Sequence, residues 1–445
     1  MDSQPGVDDS EVDHLRRQID LLSSLQTPIR RIPRELLSEI FLQPSLHCSP
    51  RYPFRAPRGT KTILSVSHHW RETALSTAEF WAEFDVILHG NSNQACLLEL
   101  YLERSKQFPL SISILAWRTG IWDPRILQLL IGSCERWAHL RLTMDSCYLP
   151  LLSPLRGHLP LLLRLDLSLH KGRILLDTPQ FSSTAQPDAF EITPRLTALS
   201  MNVDFDAITP LLPHSQIKSL VIVNWASLLF AVNCPNLHSL SFCRTSVEFR
   251  RHGLSSAVEI STIVLHAFPL VLKFITALAV QVLDLDTLAS DTTLSMDIWT
   301  PFIRRSACRP HTLQLHNLAI PSRDLLSILV DLPSLQTVVL RGLDRPDVIT
   351  TNLLTQLTLS PSGTGAMVLP ELTDLTIAGS YIFTNVSFLA MLESRSDSIE
   401  RVTLELKQRT FTAEELDRAR ALKEQRAMEL TLWCVDAEKS YVHMI

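Results

Sequence analysis

The chain has 445 residues, 46% of them apolar and 20% charged, and a formal net charge of −5. That length exceeds one compact core and calls for several domains or a repeat array, and the apolar content excludes a disordered chain. The charges are spread without long single-sign runs, which leaves no electrostatic footprint for nucleic acid.

Glycine is scarce, at 12 residues, against roughly 7% in an average protein; a glycine-rich phosphate cradle is not expected. Eight cysteines are scattered with no Cys-x-x-Cys pair and no histidine at ligand spacing. They predict buried free thiols in a reducing compartment and no zinc. The opening MDSQPGVDDSEVD lacks the apolar core of a secretory signal. The most membrane-like stretch, Ile263 to Leu283, carries His266, Pro269, Lys273 and Gln281. No membrane span and a cytoplasmic or nuclear location are therefore expected.

Residues 1–10 read as a polar tail. Val12, Leu15, Ile19 and Leu22 then recur at a 3–4 spacing and predict a short amphipathic helix over 11–27. In the span 28–85, Pro33 suits a first helical turn and Glu35 the positive end of the dipole. Leu36, Leu37, Ile40 and Phe41 follow at i, i+1, i+4 and i+5, which reads as one apolar face. Residues 43–60 are rich in Pro and Arg and read as a loop. Helical periodicity resumes from Thr62 to Leu75 through Ile63, Leu64, Val66, Trp70 and Ala74, and Phe80, Trp81 and Phe84 close the segment.

The strings I-P-R-E-L-L-S-E-I-F and L-S-V-S-H-H-W-R-E-T-A-L-S-T-A-E-F-W resemble the F-box, in the form found in F-box proteins of mushroom-forming fungi. Ile32 stands where that pattern has Leu, Ser67 where it has Cys, His68-His69 where it has a basic pair, and Ala78 where it has Pro. The loop 43–60 is longer than in compact F-boxes. The resemblance implies a three-helix module that docks on the Skp-type linker subunit of a cullin–RING (SCF) ubiquitin ligase. It assigns that docking to Pro33, Leu36, Leu37, Ile40, Phe41, Val66 and Trp70, some of which also serve as core. A module of about 50 residues buries only a modest share of its surface alone, so burial against a partner is physically expected.

Residues 86–133 read as a strand-bearing cap, with the alternation Pro109-Leu-Ser-Ile-Ser-Ile-Leu. From 134 to 410 a pattern apolar-x-x-apolar-x-apolar recurs, often with Pro two residues before it. Its copies begin at Trp137, Leu162, Leu196, Ile217, Leu237, Ile260, Val280, Leu335, Leu372 and Ile399, with a weaker one after Pro310 through Leu313 and Leu315. The mean spacing is about 26 residues, within the leucine-rich-repeat range. The last two apolar residues of each copy lie two apart and point one way on a strand. The preceding Pro stops the helix before it. Asp324 to Val330 reads as one of the intervening helices. The expected architecture is therefore α/β: a small all-helical F-box followed by an irregular leucine-rich-repeat solenoid, a horseshoe. An α/β sheet domain or a helical-repeat array are the rivals. Residues 411–445 read as a capping helix and tail, opened by a capping box at Thr412–Glu415 and supported by a Glu414–Arg418 pair.

No nucleophile elbow, phosphate loop or metal-spaced cluster occurs, and no cofactor is expected. Asp284 and Asp286 alternate with leucine and read as solvated strand residues; His68-His69 reads as helix surface. On a horseshoe, the residues between the strand leucines form one row of the concave face: Arg141, Asp166, Ser200, Val221, Ser241, Val264, Asp284, Gln314, Val339, Thr376 and Thr403. Arg141, Asp166, Ser200, Ser241, Asp284, Gln314 and Thr376 are its candidate substrate-binding residues. The expected function is a non-enzymatic adaptor that holds a protein substrate near a ligase core, acting by proximity. The alternative is a leucine-rich scaffold or receptor that joins no ligase.

Overall fold

Pro33 stands at the entrance of helix α1 (Arg34–Phe41), where its missing N–H costs nothing and its carbonyl accepts the Leu37 amide at 3.0 Å. This and all following geometry come from a computed structural model. It describes residues 18, 32–43, 60–88, 92–116, 124–171, 186–204, 207–223, 228–242, 258–286, 294–343, 348–359, 367–379, 381–407, 411–426, 428–435 and 441–443. The expected helix over 11–27 and the loop 43–60 lie almost wholly outside these. The chain divides into two compact units: residues 1–165 with 172–195, and residues 166–171 with 196–445.

In the first unit, α1 is followed by α2 (Thr60–Val66) and α3 (His68–Ser76). The sequence predicted one helix from Thr62 to Leu75; it breaks at Ser67. Ser67 leaves the helical region (φ −160°, ψ 166°), and its Oγ accepts the Trp70 amide at 3.2 Å. A serine hydroxyl offers the backbone this local bond, so the residue starts a second helix instead of continuing the first. Ser67→Ala is expected to lower stability by about 1 kcal/mol in a denaturant melt.

A 3-10 turn, Ala78–Trp81, leads into β1 (Glu83–Ile87), then α4 (Ser92–Arg104), β2 (Leu110–Ala116), α5 (Pro124–Gly132) and β3 (Trp137–Asp145). β1 starts inside the span expected to be all-helical. The alternating 110–116 segment is a strand as predicted, and β1, β2 and β3 pair in parallel in that order. An aromatic chain runs through this core: Phe41 to Phe80 (5.9 Å between centroids), Phe80 to Trp81 (5.5 Å) and Trp81 to Tyr101 (5.0 Å). The Trp81 indole donates to the Ala74 carbonyl at 2.7 Å, which satisfies the polar edge of a buried ring.

β4 (Arg164–His170) begins in the first unit and continues in the second. There follow β5 (Ala198–Val203), β6 (Ser219–Ile222), α6 (Leu228–Val232), β7 (Ser239–Phe242), β8 (Val258–Ser261), β9 (Val264–Ala267), β10 (Ile275–Leu278) and β11 (Val282–Asp286). From there helices and strands alternate: α7 (Met296–Ser306), β12 (Thr312–His316), α8 (Ser322–Asp331), β13 (Thr337–Arg341), α9 (Thr351–Leu357), β14 (Asp374–Gly379), α10 (Asn385–Ser394), β15 (Arg401–Lys407), α11 (Ala413–Arg426) and β16 (Glu429–Val435), ending in β17 (Tyr441–His443). In the second unit β5, β6, β7, β9 and β11 to β16 form one parallel sheet in chain order, and β17 closes it antiparallel to β16. β8 and β10 pair separately in a two-stranded sheet.

Parallel neighbours require a crossover, and α7 to α11 supply one between each successive pair from β11 to β16. Their apolar stripes are buried: Ile298, Trp299 and Phe302 on α7, Leu325, Ile328 and Leu329 on α8, and Phe388, Leu389 and Leu392 on α10. The strands bury every second residue, such as Leu283 and Leu285, Leu313 and Leu315, and Val338 and Leu340. The residues between them stay partly exposed. A parallel sheet with one face packed and the other open is unusual, because crossovers ordinarily cover both. Here the period-2 alternation of leucine with polar residues sets which face is dry.

The strand positions read from the sequence hold at Trp137, Leu162, Leu196, Ile217, Leu237, Val280, Pro310, Leu335, Leu372 and Ile399, each lying at or just before a strand. Ile260 is a correction, since it belongs to β8 in the side sheet. The membrane-like stretch resolves into β9, β10 and β11, and no described helix is long and apolar enough to cross a membrane. The C-terminal tail holds a strand that the sequence reading missed, β16, although Met428, Leu430 and Leu432 alternate and are buried.

The capping box forms, with the Thr412 amide donating to Glu415 at 2.9 Å and the Glu415 amide to Thr412 Oγ1 at 3.3 Å. Arg418 pairs with Glu393 of α10, at 2.8 and 2.9 Å to its two oxygens, in place of the expected Glu414. A bidentate carboxylate fork from a neighbouring helix outcompetes a single i,i+4 contact in water. At the end of β13, Gly342 has φ +58°, and a Cβ there would run into the Asn317 side chain. Gly342→Ala is therefore expected to cost about 1–2 kcal/mol, read as a lowered unfolding midpoint.

Candidate docking surfaces

In the first unit, the apolar face expected on α1 is two faces. Leu37 and Phe41 are fully buried, and Phe41 packs against Trp70 with 5.1 Å between ring centroids. Leu36 and Ile40, the other i,i+4 pair, are 51% and 42% exposed. Val66 at the end of α2 is likewise exposed, and so is Pro33. Trp70 is half-buried, with its ring in the core against Phe41. The seven residues tied to docking thus divide: Leu37 and Phe41 hold the module together, Trp70 does so in part, and Pro33, Leu36, Ile40 and Val66 reach solvent. Leu75 on α3, exposed as well, was not among them.

Polar contacts fix the relative positions of α1 and α3. Arg34 pairs with Glu72 at 3.0 Å, Ser38 shares a 3.1 Å hydrogen bond with Thr77, and the His69 ring lies 3.3 Å from the Ile32 carbonyl. His68 is exposed and 3.8 Å from Glu72. These bonds hold α1 so that its exposed pair is presented on a fixed frame.

A cleft of about 640 Å³ elsewhere in this unit is lined by Glu99, Arg125, Glu135 and Arg136. Arg136 is committed to structure: it donates to Ser105 Oγ at 2.7 Å and to the Phe108 carbonyl at 3.0 Å. Nothing there pairs a nucleophile with a base. The thiols are no better placed, since burial pushes Cys234 up to about 12 and raises Cys134 and Cys308 too. Cys96, expected to be buried, is exposed on α4. Among the described residues no group of His, Cys, Asp and Glu could hold a metal ion.

In the second unit, the open face of the sheet carries the predicted row from Asp166 to Thr403, with Val264 corrected. Ser200 lies opposite Val221, Val221 opposite Ser241, and Asp284 opposite Gln314. Gln314 is opposite Val339, Val339 opposite Thr376, and Thr376 opposite Thr403. The Asp204 amide bonds the Leu169 carbonyl at 2.9 Å, which brings Asp166 level with Ser200. Arg141 belongs to the first unit, exposed and opposite Ser113.

Between Ser241 and Asp284 the row passes through His266, not Val264. A repeat begun at Ile260 puts the residue between its apolar pair two positions early. Leu265 and Ala267 are the buried pair, and His266 sits between them.

That shift brings together a group the sequence reading left apart. His266 Nδ1 lies 2.8 Å from Asp284 Oδ2, and because a carboxylate only accepts, the imidazole carries the proton there. His316 Nε2 is 3.7 Å from Asp284 Oδ1 and 3.4 Å from Gln314 Oε1. Asp284 is accordingly not the solvated carboxylate expected, for its side chain is only 19% exposed and Oδ1 has no hydrogen bond. Asp286, two residues on, is exposed and accepts from Asn317 Nδ2 at 3.0 Å.

Towards the C-terminal strands the charges pair among themselves. Arg401 bridges Asp374 at 2.6 Å and Glu429 at 3.0 Å, and Arg341 approaches Glu405 at 3.9 Å. Asp374, Arg401 and Glu429 share one register position on β14, β15 and β16, which makes an ion ladder across the face. The arrangement can bind by charge, hydroxyl and aliphatic contact. No protein-family model matches the chain, and none of the curated proteins matches it.

Proposed function

We propose that this protein is an F-box adaptor: its N-terminal helices dock on the Skp-type linker of an SCF ubiquitin ligase, and its second unit, an irregular leucine-rich-repeat array, recruits a protein substrate. One observation carries the reading. α1 buries Leu37 and Phe41 in its own core and yet exposes Leu36 and Ile40 beside them, all four within the segment that resembles the F-box opening. Two bulky aliphatic side chains fixed in water on a short helix are a cost that a partner removes, at about 1.5–3 kcal/mol for each one fully buried.

The open sheet face supports the second half of the reading. Strands in chain order at a spacing near that of leucine-rich repeats present aligned, half-exposed side chains over many strands, a surface suited to an extended protein ligand. Catalysis is by proximity: the adaptor raises the local concentration of substrate lysines near the ubiquitin-loaded subunit and does no bond chemistry itself.

Co-purification of the full chain with the linker and cullin tests the proposal, and a stable ternary complex is the expected result. Recovery of the chain without the linker overturns the ligase half. It would leave a leucine-rich scaffold whose open face serves binding alone.

A further inference from the structure

We infer that the segment held by the open face of the second unit is basic, a Lys- or Arg-rich stretch of a protein; this rests on reading that face as the recruiting surface and adds the chemistry of what it takes. The register from β9 to β16 identifies the face positions. Carboxylates there are Asp284, Asp286, Asp374, Glu405 and Glu429, against Arg341, Arg401 and Lys407 among the cations. Nearer the N-terminal edge, the face positions of β5 to β7 are Ala198, Ser200, Asn202, Ser219, Val221, Ser239 and Ser241, all uncharged. The surplus over β9 to β16 is therefore negative, and at the other edge β4 adds Asp166.

Its location within those strands decides the reading. Arg401 serves Asp374 and Glu429, and Arg341 faces Glu405. Among the described residues Asp284 and Asp286 meet no guanidinium: their partners are the imidazoles of His266 and His316 and the amide of Asn317. Standing two residues apart on β11, these two carboxylates point to one side roughly 6.6 Å from each other. Two carboxylates side by side make the site repel acidic segments and nucleic acid and attract cations. A second copy of this chain, at net charge −5, would bring like charge. A partner Lys or Arg meets instead an exposed Asp286 carboxylate for a charge-assisted hydrogen bond, backed by the charge of Asp284. Threonine and valine at Thr376, Thr403 and Val339 then receive the stem of the segment alongside.

The test uses the full chain and three short synthetic peptides that share one sequence apart from its charged positions, filled by Lys/Arg, by Gln or by Glu. Fluorescence anisotropy at low salt is expected to give at least about tenfold tighter binding of the cationic peptide than of the Gln peptide. That advantage should shrink as salt shortens the screening length from about 10 Å at 0.1 M to about 3 Å at 1 M. Asp284→Asn with Asp286→Asn should cut it to about threefold or less. Glu414→Gln with Glu424→Gln, which removes two exposed carboxylates from α11, should leave it unchanged.

Binding of the Gln or Glu peptide as tight as the cationic one overturns the inference. So does an equal loss in the α11 variant, which would mark mere net charge. Linker capture is scored on the same preparations. Loss of the cationic preference with capture intact sinks the basic-segment inference alone, while loss of capture with the preference intact sinks only the ligase half.

Discussion

Leu36→Glu combined with Ile40→Lys is expected to abolish capture of the Skp-type linker, by at least about 100-fold, while the melting temperature stays within about 3 °C of wild type. Both parts follow from exposure. At 51% and 42% exposed, the two side chains contribute little to the module's own core, and surface changes of this kind ordinarily stay within about 0.5 kcal/mol. The substitutions also suit the helix, since the new glutamate falls in the first turn of α1 and the new lysine in the last, in the favoured i,i+4 order. Against a partner the account reverses: two apolar contacts worth about 1.5–3 kcal/mol each are lost, and two charges must be desolvated.

The neighbouring double variant, Leu37→Asp with Phe41→Asp, would not test docking. Those residues are fully buried, and Phe41 lies against Trp70 and Phe80, so charge there unfolds the module and removes capture for a trivial reason. If Leu36→Glu with Ile40→Lys leaves capture at wild-type strength, the docking proposal fails with the fold intact.

That distinction was out of reach of the sequence. A spacing of i, i+1, i+4 and i+5 contains two i,i+4 stripes rotated by about 100°, and composition does not say which one the rest of the domain covers. The covering comes from Trp70 and Phe80, some 30 to 40 residues away in the chain, whose position depends on the helix break at Ser67. The strands were far more legible. Leu-x-Leu after a Pro or a polar turn is a local signal with a period of two, and burial of one face follows from it directly. Where the pattern misled, at Ile260, two apolar alternations lay close together, and pairing alone decided that β8 joins a side sheet and β9 the main one. The His266–Asp284–His316 group stayed invisible for the same reason: three residues on three strands come together only once the register is known.

Arg395 presents the opposite case, a residue that no periodicity marks and on which the second unit is expected to depend. Arg395→Ala should lower the stability of that unit by roughly 3–6 kcal/mol, measured by denaturant unfolding. The side chain is 1% exposed, and its guanidinium donates through Nε to the Leu357 carbonyl, through Nη1 to Leu369 at 2.8 Å and through Nη2 to Val368. Leu357 ends α9, so its carbonyl is one of the last four that a helix leaves unpaired, and the cation sits at the negative end of the dipole. One planar fork thus caps α9 and fixes the approach to β14. Alanine leaves the Leu357 and Val368 carbonyls unmatched and Leu369 with only the 3.4 Å bond from the Leu372 amide, at about 1–3 kcal/mol for each lost partner, a large share of the roughly 5–15 kcal/mol that holds a typical domain.

Burial pulls the Arg395 guanidinium down to about 10, still cationic at neutral pH in both the folded and the unfolded chain. The unfolded chain binds the extra proton only above that value, so this group adds stability as pH rises past about 10 and gives no slope between about pH 5 and 8. Arg395→Lys keeps the charge but offers a compact ammonium in place of a fork, and should recover about half of the loss. Hydrogen exchange in the alanine variant should quicken first at α9 and at residues 367–379. An alanine variant within about 1 kcal/mol of wild type would mean that water replaces the guanidinium at those carbonyls.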